Sequence, residues 1–98
     1  MNHHGAKALA HWKAHLPAQL AQIADQEAFF TRLGETADTE IEQLAETLAD
    51  LKPPADGYLD EVARLETARK MAETEVTRDL ILVDPANQEK IAELLQMT

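Results

Sequence analysis

The sequence predicts an all-α protein, a helical bundle built on a long antiparallel helical hairpin, with an N-terminal helix packed across it and a short C-terminal helix. Apolar side chains recur at spacings of three and four residues, and no segment alternates with period two for long enough to form a strand. The segment 52–57 contains two prolines and separates the two longest periodic stretches, which predicts the turn of the hairpin. A length of 98 residues allows one domain, 1–98.

The first predicted helix runs over about 3–15. Pro17 disfavours the helical conformation at Leu16 and has no backbone N–H to donate. Because the apolar spacing nevertheless continues, we expect a short second helix over 17–24, kinked against the first.

The third predicted helix, over 26–51, has Asp25 as its N-cap. Gly34 lies inside it and lowers helix stability by about 1 kcal/mol relative to alanine, which indicates either a close helix crossing or a local bend near Phe30. Its apolar seam is the row of apolar side chains at spacings of three and four residues, and it is the longest such row in the chain: Phe29, Phe30, Leu33, Ala37, Ile41, Leu44, Leu48 and Leu51.

The fourth predicted helix runs over 57–83 and packs antiparallel to the third. Its last residues, 80–83, are apolar on all sides; they fit an edge strand as well, but they continue the helical spacing. Asp84-Pro85 predicts a cap and a first-turn proline for a last helix over 85–97.

The composition excludes several classes of functional site. There is no cysteine, which excludes disulfides and thiolate zinc sites, and no apolar run long enough to span a membrane. The net charge is −9, so direct nucleic-acid binding is not expected. The segment 1–24 carries two lysines, all four histidines and no acid. We expect a cytoplasmic protein whose weakly basic first helix docks against the acidic body, of its own chain or of a second copy.

Catalytic and metal sites are not predicted. His11 and His15 lie on one helical face with His4 one heptad earlier, but no carboxylate on that helix completes a zinc site, so exposed histidines are the expectation. Three glycines and no serine leave neither a phosphate loop nor a nucleophile. We expect no cofactor and no enzymatic activity.

Two side chains allow two interpretations each. Arg69 either covers the apolar seam with its aliphatic stem or pairs with a buried acid and fixes the register. Trp12 is either a core anchor or the centre of an interface.

Self-association is expected because the core is thin. Alanine makes up 17 of the apolar residues, and only 27 larger ones remain. One hairpin covers only one apolar stripe, so other apolar residues are left to meet a second copy in a homodimer. The predicted self-association residues are Trp12, Leu80, Ile81, Leu82 and Val83.

Five carboxylates without interleaved bases follow one face of the third helix. Successive side chains at this spacing are about 6 Å apart, comparable to the phosphates of one nucleic-acid strand. The face is either simply solvated or a surface that occupies a basic groove on a protein partner. We define the acidic stripe as Glu35, Asp38, Glu42, Glu46 and Asp50.

Over residues 5–83 the chain resembles small helical proteins carried by actinobacterial phages and mobile elements, and more distantly the accessory proteins encoded by conjugative transposons. The resemblance implies a mobile-element setting, in which small acidic inhibitors such as anti-CRISPR proteins also occur. It assigns no catalytic or binding residue. The matching positions are Gly5, His11-Trp12, His15-Leu16-Pro17, Phe29-Phe30, Leu33-Gly34, Tyr58-Leu59, Val62, Arg64-Leu65, Ala68-Arg69, Ala72-Glu73 and Val76.

The sequence therefore predicts a non-catalytic protein-interaction module. Its expected partner is a protein with a basic surface, in a phage or mobile-element setting. One alternative is a nucleic-acid mimic that blocks a DNA- or RNA-binding machine. Another is an antitoxin-like or structural helical dimer.

Overall fold

Five α-helices form the described part of the chain, residues 1–51 and 56–97 of a computed structural model. No strand occurs in these residues, and the predicted all-α bundle is confirmed. Of the proline-rich turn predicted at 52–57, residues 52–55 lie outside them. The helices are α1 (His3–His15), α2 (Pro17–Leu20), α3 (Gln26–Asp50), α4 (Tyr58–Val76, followed directly by a π-helical turn, Thr77–Ile81) and α5 (Gln88–Leu95).

Local signals fix the ends of the first three helices. Leu16 is non-helical and Pro17 opens α2, as the proline predicts. The helix α2 ends at Leu20, four residues earlier than predicted. The side chain of Asp25 accepts a hydrogen bond from the backbone N–H of Ala28 at 3.1 Å, so the predicted cap of α3 is confirmed.

The last helix begins later than predicted. Asp84 accepts a hydrogen bond from the N–H of Ala86 at 2.9 Å and thereby stabilises a turn, not the start of a helix. Asn87 instead caps α5 through the N–H of Lys90, at 3.1 Å. Both residue types are good caps, and the cap lies three residues later than predicted.

The core lies where α1 crosses α3 and the end of α4. The Trp12 ring meets the rings of Phe29 and Phe30 edge-on, each at a centroid distance of 5.6 Å, and these two phenylalanines meet each other at 4.8 Å. Trp12 is fully buried, so it is a core anchor. The largest other fully buried side chains are Phe30, Leu16, Leu33, Ile41, Ile81, Ile91 and Val83.

Two glycines allow α1 to approach α3 closely. A Cβ at Gly5 would overlap the carbonyl oxygen of Phe30, and a Cβ at Gly34 would overlap the Asn2 side chain and lie 2.8 Å from the N of Gly5. Gly34 therefore marks a close helix crossing, one of the two alternatives that its position predicts.

The end of α4 widens into a π-helical turn in which the N–H of Leu82 donates to the carbonyl of Thr77 at 2.8 Å. The extra residue in the turn changes the helical register, and both Leu80 and Ile81 point into the core. Val83 is buried as well, and only Leu82 in this segment is exposed. The continuous α-helix predicted to residue 83 is therefore wrong beyond Val76.

Beyond the part that α1 covers, the hairpin consists of α3 and α4 alone. We call this part, residues 44–51 of α3 and 58–69 of α4, the distal arm. Since α1 has 13 residues and α3 has 25, α1 covers only part of a molecule that is 52 Å long. The large apolar side chains Leu51, Tyr58, Leu59 and Leu65 are exposed here. In the described ranges, no helix has both the length and the apolar character needed to cross a bilayer.

The helix crossing predicts that replacing Gly34 by alanine destabilises the protein, although the same replacement stabilises most helices. Replacing a glycine by alanine inside a helix normally stabilises the helix by about 1 kcal/mol. Here we expect it to lower the free energy of unfolding by about 1–3 kcal/mol, because α1 must move away. Chemical denaturation monitored by circular dichroism measures this; an unchanged or increased stability contradicts the close crossing.

The π-helical turn predicts a difference between neighbouring leucines. Leu80→Ala should lower the free energy of unfolding by about 2–5 kcal/mol, as buried leucines do. Leu82→Ala, at an exposed position, should lower it by less than about 1 kcal/mol. Equal losses in denaturant titrations would show that the register of this turn is different.

Candidate functional site

All five side chains of the acidic stripe are exposed along α3. They share one face because the acids and the apolar residues of α3 each recur at spacings of three and four residues along its 25 residues. The structure divides the five carboxylates into two groups: two with basic or amide partners close by, and three without a direct partner.

Asp38 is bound to the start of α1. One carboxylate oxygen accepts a hydrogen bond from the Asn2 amide at 2.9 Å, and the other lies 3.3 Å from His4 Nε2. Asn2 also caps α1, because its Oδ1 accepts from the N–H of Gly5 at 2.9 Å. Asp38 therefore helps to hold α1 on α3, and is less available to a partner than its spacing predicts.

Asp50, at the other end of the stripe, lies near Arg64 of α4. Arg64 donates to the carboxylate of Glu61 and to the backbone carbonyl of Ala49. Hydrogen bonding to Glu61 raises the pKa of the Arg64 guanidinium; burial lowers it, and the charges of Glu61 and Asp50 raise it further. Part of the negative charge of Asp50 is thus balanced across the hairpin.

Glu35, Glu42 and Glu46 form the uncompensated part of the stripe. In residues 1–51 and 56–97, no ion pair or hydrogen bond of the structure involves their carboxylates. Glu35 shares an open groove with Arg32, whose guanidinium donates to the carbonyl of Met97 at 2.8 Å. Solvated carboxylates of this kind attract cations over about 8–10 Å at physiological ionic strength.

A groove runs beside the stripe along the distal arm. Its volume is about 460 Å³, and apolar side chains of both helices share it with three acids and two arginines. Arg69 is exposed here and pairs with Glu73 of its own helix at 3.2 Å, so it is not a buried partner that fixes the register. The lining residues are Glu42, Ala45, Glu46, Ala49, Asp50, Arg64, Leu65 and Arg69.

The side chains predicted to mediate self-association lie in the chain's own core. Trp12, Leu80, Ile81 and Val83 are buried, and Leu82 alone is exposed, at 38%. The π-helical turn is the physical reason, since it brings this apolar segment inward. Self-association stays a prediction, and these buried residues cannot supply its surface.

The exposed apolar surface of the distal arm was not predicted from the sequence. By their spacing Leu51, Tyr58 and Leu65 belong to the apolar seams of the hairpin helices, yet these side chains are 76%, 80% and 47% exposed. The signal was the length of the predicted helices: a helix over 3–15 covers only about 20 Å of a hairpin helix nearly twice as long.

The histidines make contacts with different parts of the chain. His11 Nε2 lies 2.7 Å from the carbonyl oxygen of Val83; because a carbonyl only accepts, Nε2 carries the proton. The His15 ring lies 4.9 Å from that of His11, while His4 contacts Asp38. In the part of the chain that the structure describes, no three histidines or acids are grouped to hold a metal ion.

One more cavity, of about 280 Å³, lies between α3 and the end of α5. Phe29 and Met97 supply apolar walls, and Asp25 and Arg32 lie at its edge. The absence of enzymatic activity stays a prediction.

Comparisons of the chain with protein-family models, with curated proteins and with solved structures give no match.

The two kinds of carboxylate predict different effects of removal. Asp38→Ala should lower the free energy of unfolding by about 1 kcal/mol, because Asn2 and His4 lose their shared acceptor. The matched control Glu42→Ala, on the same face of α3, should change it by less than about 0.5 kcal/mol. Urea denaturation of both variants measures the difference; equal effects would contradict the anchoring role of Asp38.

Proposed function

We propose that the chain is a non-catalytic interaction module that binds a protein partner with a basic surface through the acidic stripe. The observation that carries the proposal is the exposure of Glu35, Glu42 and Glu46 without direct partners on one 25-residue helix. A helix that is held by packing presents its charges in a fixed arrangement, which favours specific pairing with fixed cations. A phage or mobile-element setting remains part of the proposal, on the resemblance alone.

The exposed apolar side chains of the distal arm support the same proposal. Protein interfaces combine an apolar centre with a polar rim, and Leu65 lies in a groove whose edge carries Glu42 and Glu46. Charge then steers the encounter, and apolar contact supplies much of the affinity.

A nucleic-acid mimic that blocks a DNA- or RNA-binding protein is the second candidate. It is favoured by the even spacing of carboxylates along one helix, each successive pair about 6 Å apart. It differs from the first candidate in its consequence: the partner's nucleic-acid ligand must compete with the chain for one site.

The test neutralises the three unpaired carboxylates. Proteins retained from an extract of the source organism by the immobilised wild type are eluted with a salt gradient, identified, and titrated individually. We expect basic proteins, and we expect Glu35→Gln, Glu42→Gln and Glu46→Gln together to weaken their binding at least tenfold, or about 1.4 kcal/mol.

The matched control is Glu66→Gln, Glu89→Gln and Glu93→Gln, which changes the net charge equally but leaves the stripe intact. It should bind nearly as the wild type does. Equal weakening in both variants, or binding that does not respond to salt, would overturn the proposal. Adding the nucleic acid that the partner binds tests the second candidate, because it displaces the chain only if the chain occupies the partner's nucleic-acid site.

A further inference from the structure

The groove of the distal arm lies on the side of α3 from which Asp38 contacts the start of α1. Beyond that contact Ala49 is already buried between α3 and α4, Ala45 is half-buried, and Leu65 is 47% exposed. The groove therefore continues the surface on which α1 lies, and it has the form of an unfilled position for another helix.

The outer face of α1 has the complementary properties. Ala6, Ala10 and Ala14 are exposed and recur every four residues, so they form a flat ridge, with Lys7 and Lys13 exposed beside it. Small side chains let a helix approach another surface closely. No acid occurs before Asp25, so this face is the one part of the chain that carries lysines without carboxylates.

We propose that the groove is filled by the outer face of α1 from a second copy. Lys7 and Lys13 flank the alanine ridge on opposite sides, so one of them would lie along the edge formed by Glu42, Glu46 and Asp50, and the ridge would cover Leu65. The arginines of the groove do not oppose this pairing strongly, because Arg64 already pairs with Glu61 and Arg69 with Glu73.

Symmetry makes the contact occur twice. In an antiparallel pair related by a two-fold axis, each α1 lies on the partner copy's distal arm, so both arms are covered and every contact is repeated. The molecule is 52 Å long and α1 spans about 20 Å, so two antiparallel copies match the covered half of one with the bare half of the other. The arm then gains the third helix that its thin seam lacks.

The inference rests on the proposed interaction role of the acidic stripe, and it names α1 of a second copy as one occupant of that surface. An external basic partner would compete with it for Glu42 and Glu46. The free protein would then be a dimer that covers its own binding surface.

A charge exchange tests the pairing. One variant carries Lys7→Glu with Lys13→Glu, and the other carries Glu42→Lys with Glu46→Lys. Light scattering at tens of micromolar should give the wild type twice the 10.9 kDa chain mass and each variant alone the mass of one chain. An equimolar mixture should recover the doubled mass, because both contacts between unlike chains are again complementary.

The control exchanges charges outside the contact, Lys70→Glu and Glu66→Lys, and should leave the dimer unchanged. If circular dichroism shows that a reversed variant is unfolded, Ala10→Arg replaces it, since it keeps a good helix former at an exposed position and should also give a single-chain mass. A monomeric wild type, dimeric reversed variants, or a folded mixture that stays monomeric would overturn the inference. Each result leaves the test of the proposed function intact, because that test measures retention of external basic proteins.

Discussion

The fold depends on how closely α1 approaches α3. Gly34 has no side chain at the crossing, so the first turn of α1 lies directly on the backbone of α3. That contact determines where the rest of α1 lies, including Trp12 against the two phenylalanines and His11 against the carbonyl of Val83. A gap of only 0.5–1 Å would already remove a quarter to a half of the dispersion energy at the indole. A protein with so few large apolar side chains has little other packing to replace it.

The same crossing separates structural carboxylates from available ones. Asp38 lies where α1 begins, and its contacts with Asn2 and His4 complete the docking of that helix. One and two turns further along α3, Glu42 and Glu46 lie beyond the start of α1 and meet solvent. Acids of one stripe thus differ in role because of where a neighbouring helix begins.

Features of the fold that arise from near neighbours in the chain could be predicted from the sequence. The Asp25 cap and the break at Pro17 involve residues a few positions apart, and the acidic stripe follows from the helical period. Features that depend on distant partners could not. Asp38 meets residues 34 and 36 positions away, and the turn of Leu80 and Ile81 into the core depends on a hydrophobic surface built by other helices.

The contact of His11 with Val83 has a consequence for the order of folding. It joins residues 72 positions apart, so it closes the longest loop among the side-chain hydrogen bonds of the described chain. Closing a long loop lowers the entropy of the chain more than forming a hairpin between sequential helices. We therefore expect the hydrogen bond of His11 to form after the contacts of α1 with α3, such as that of Trp12 with Phe30, which join residues only 18 positions apart. During synthesis His11 leaves the ribosome 72 residues before Val83, so this hydrogen bond cannot form while only the first helices have emerged.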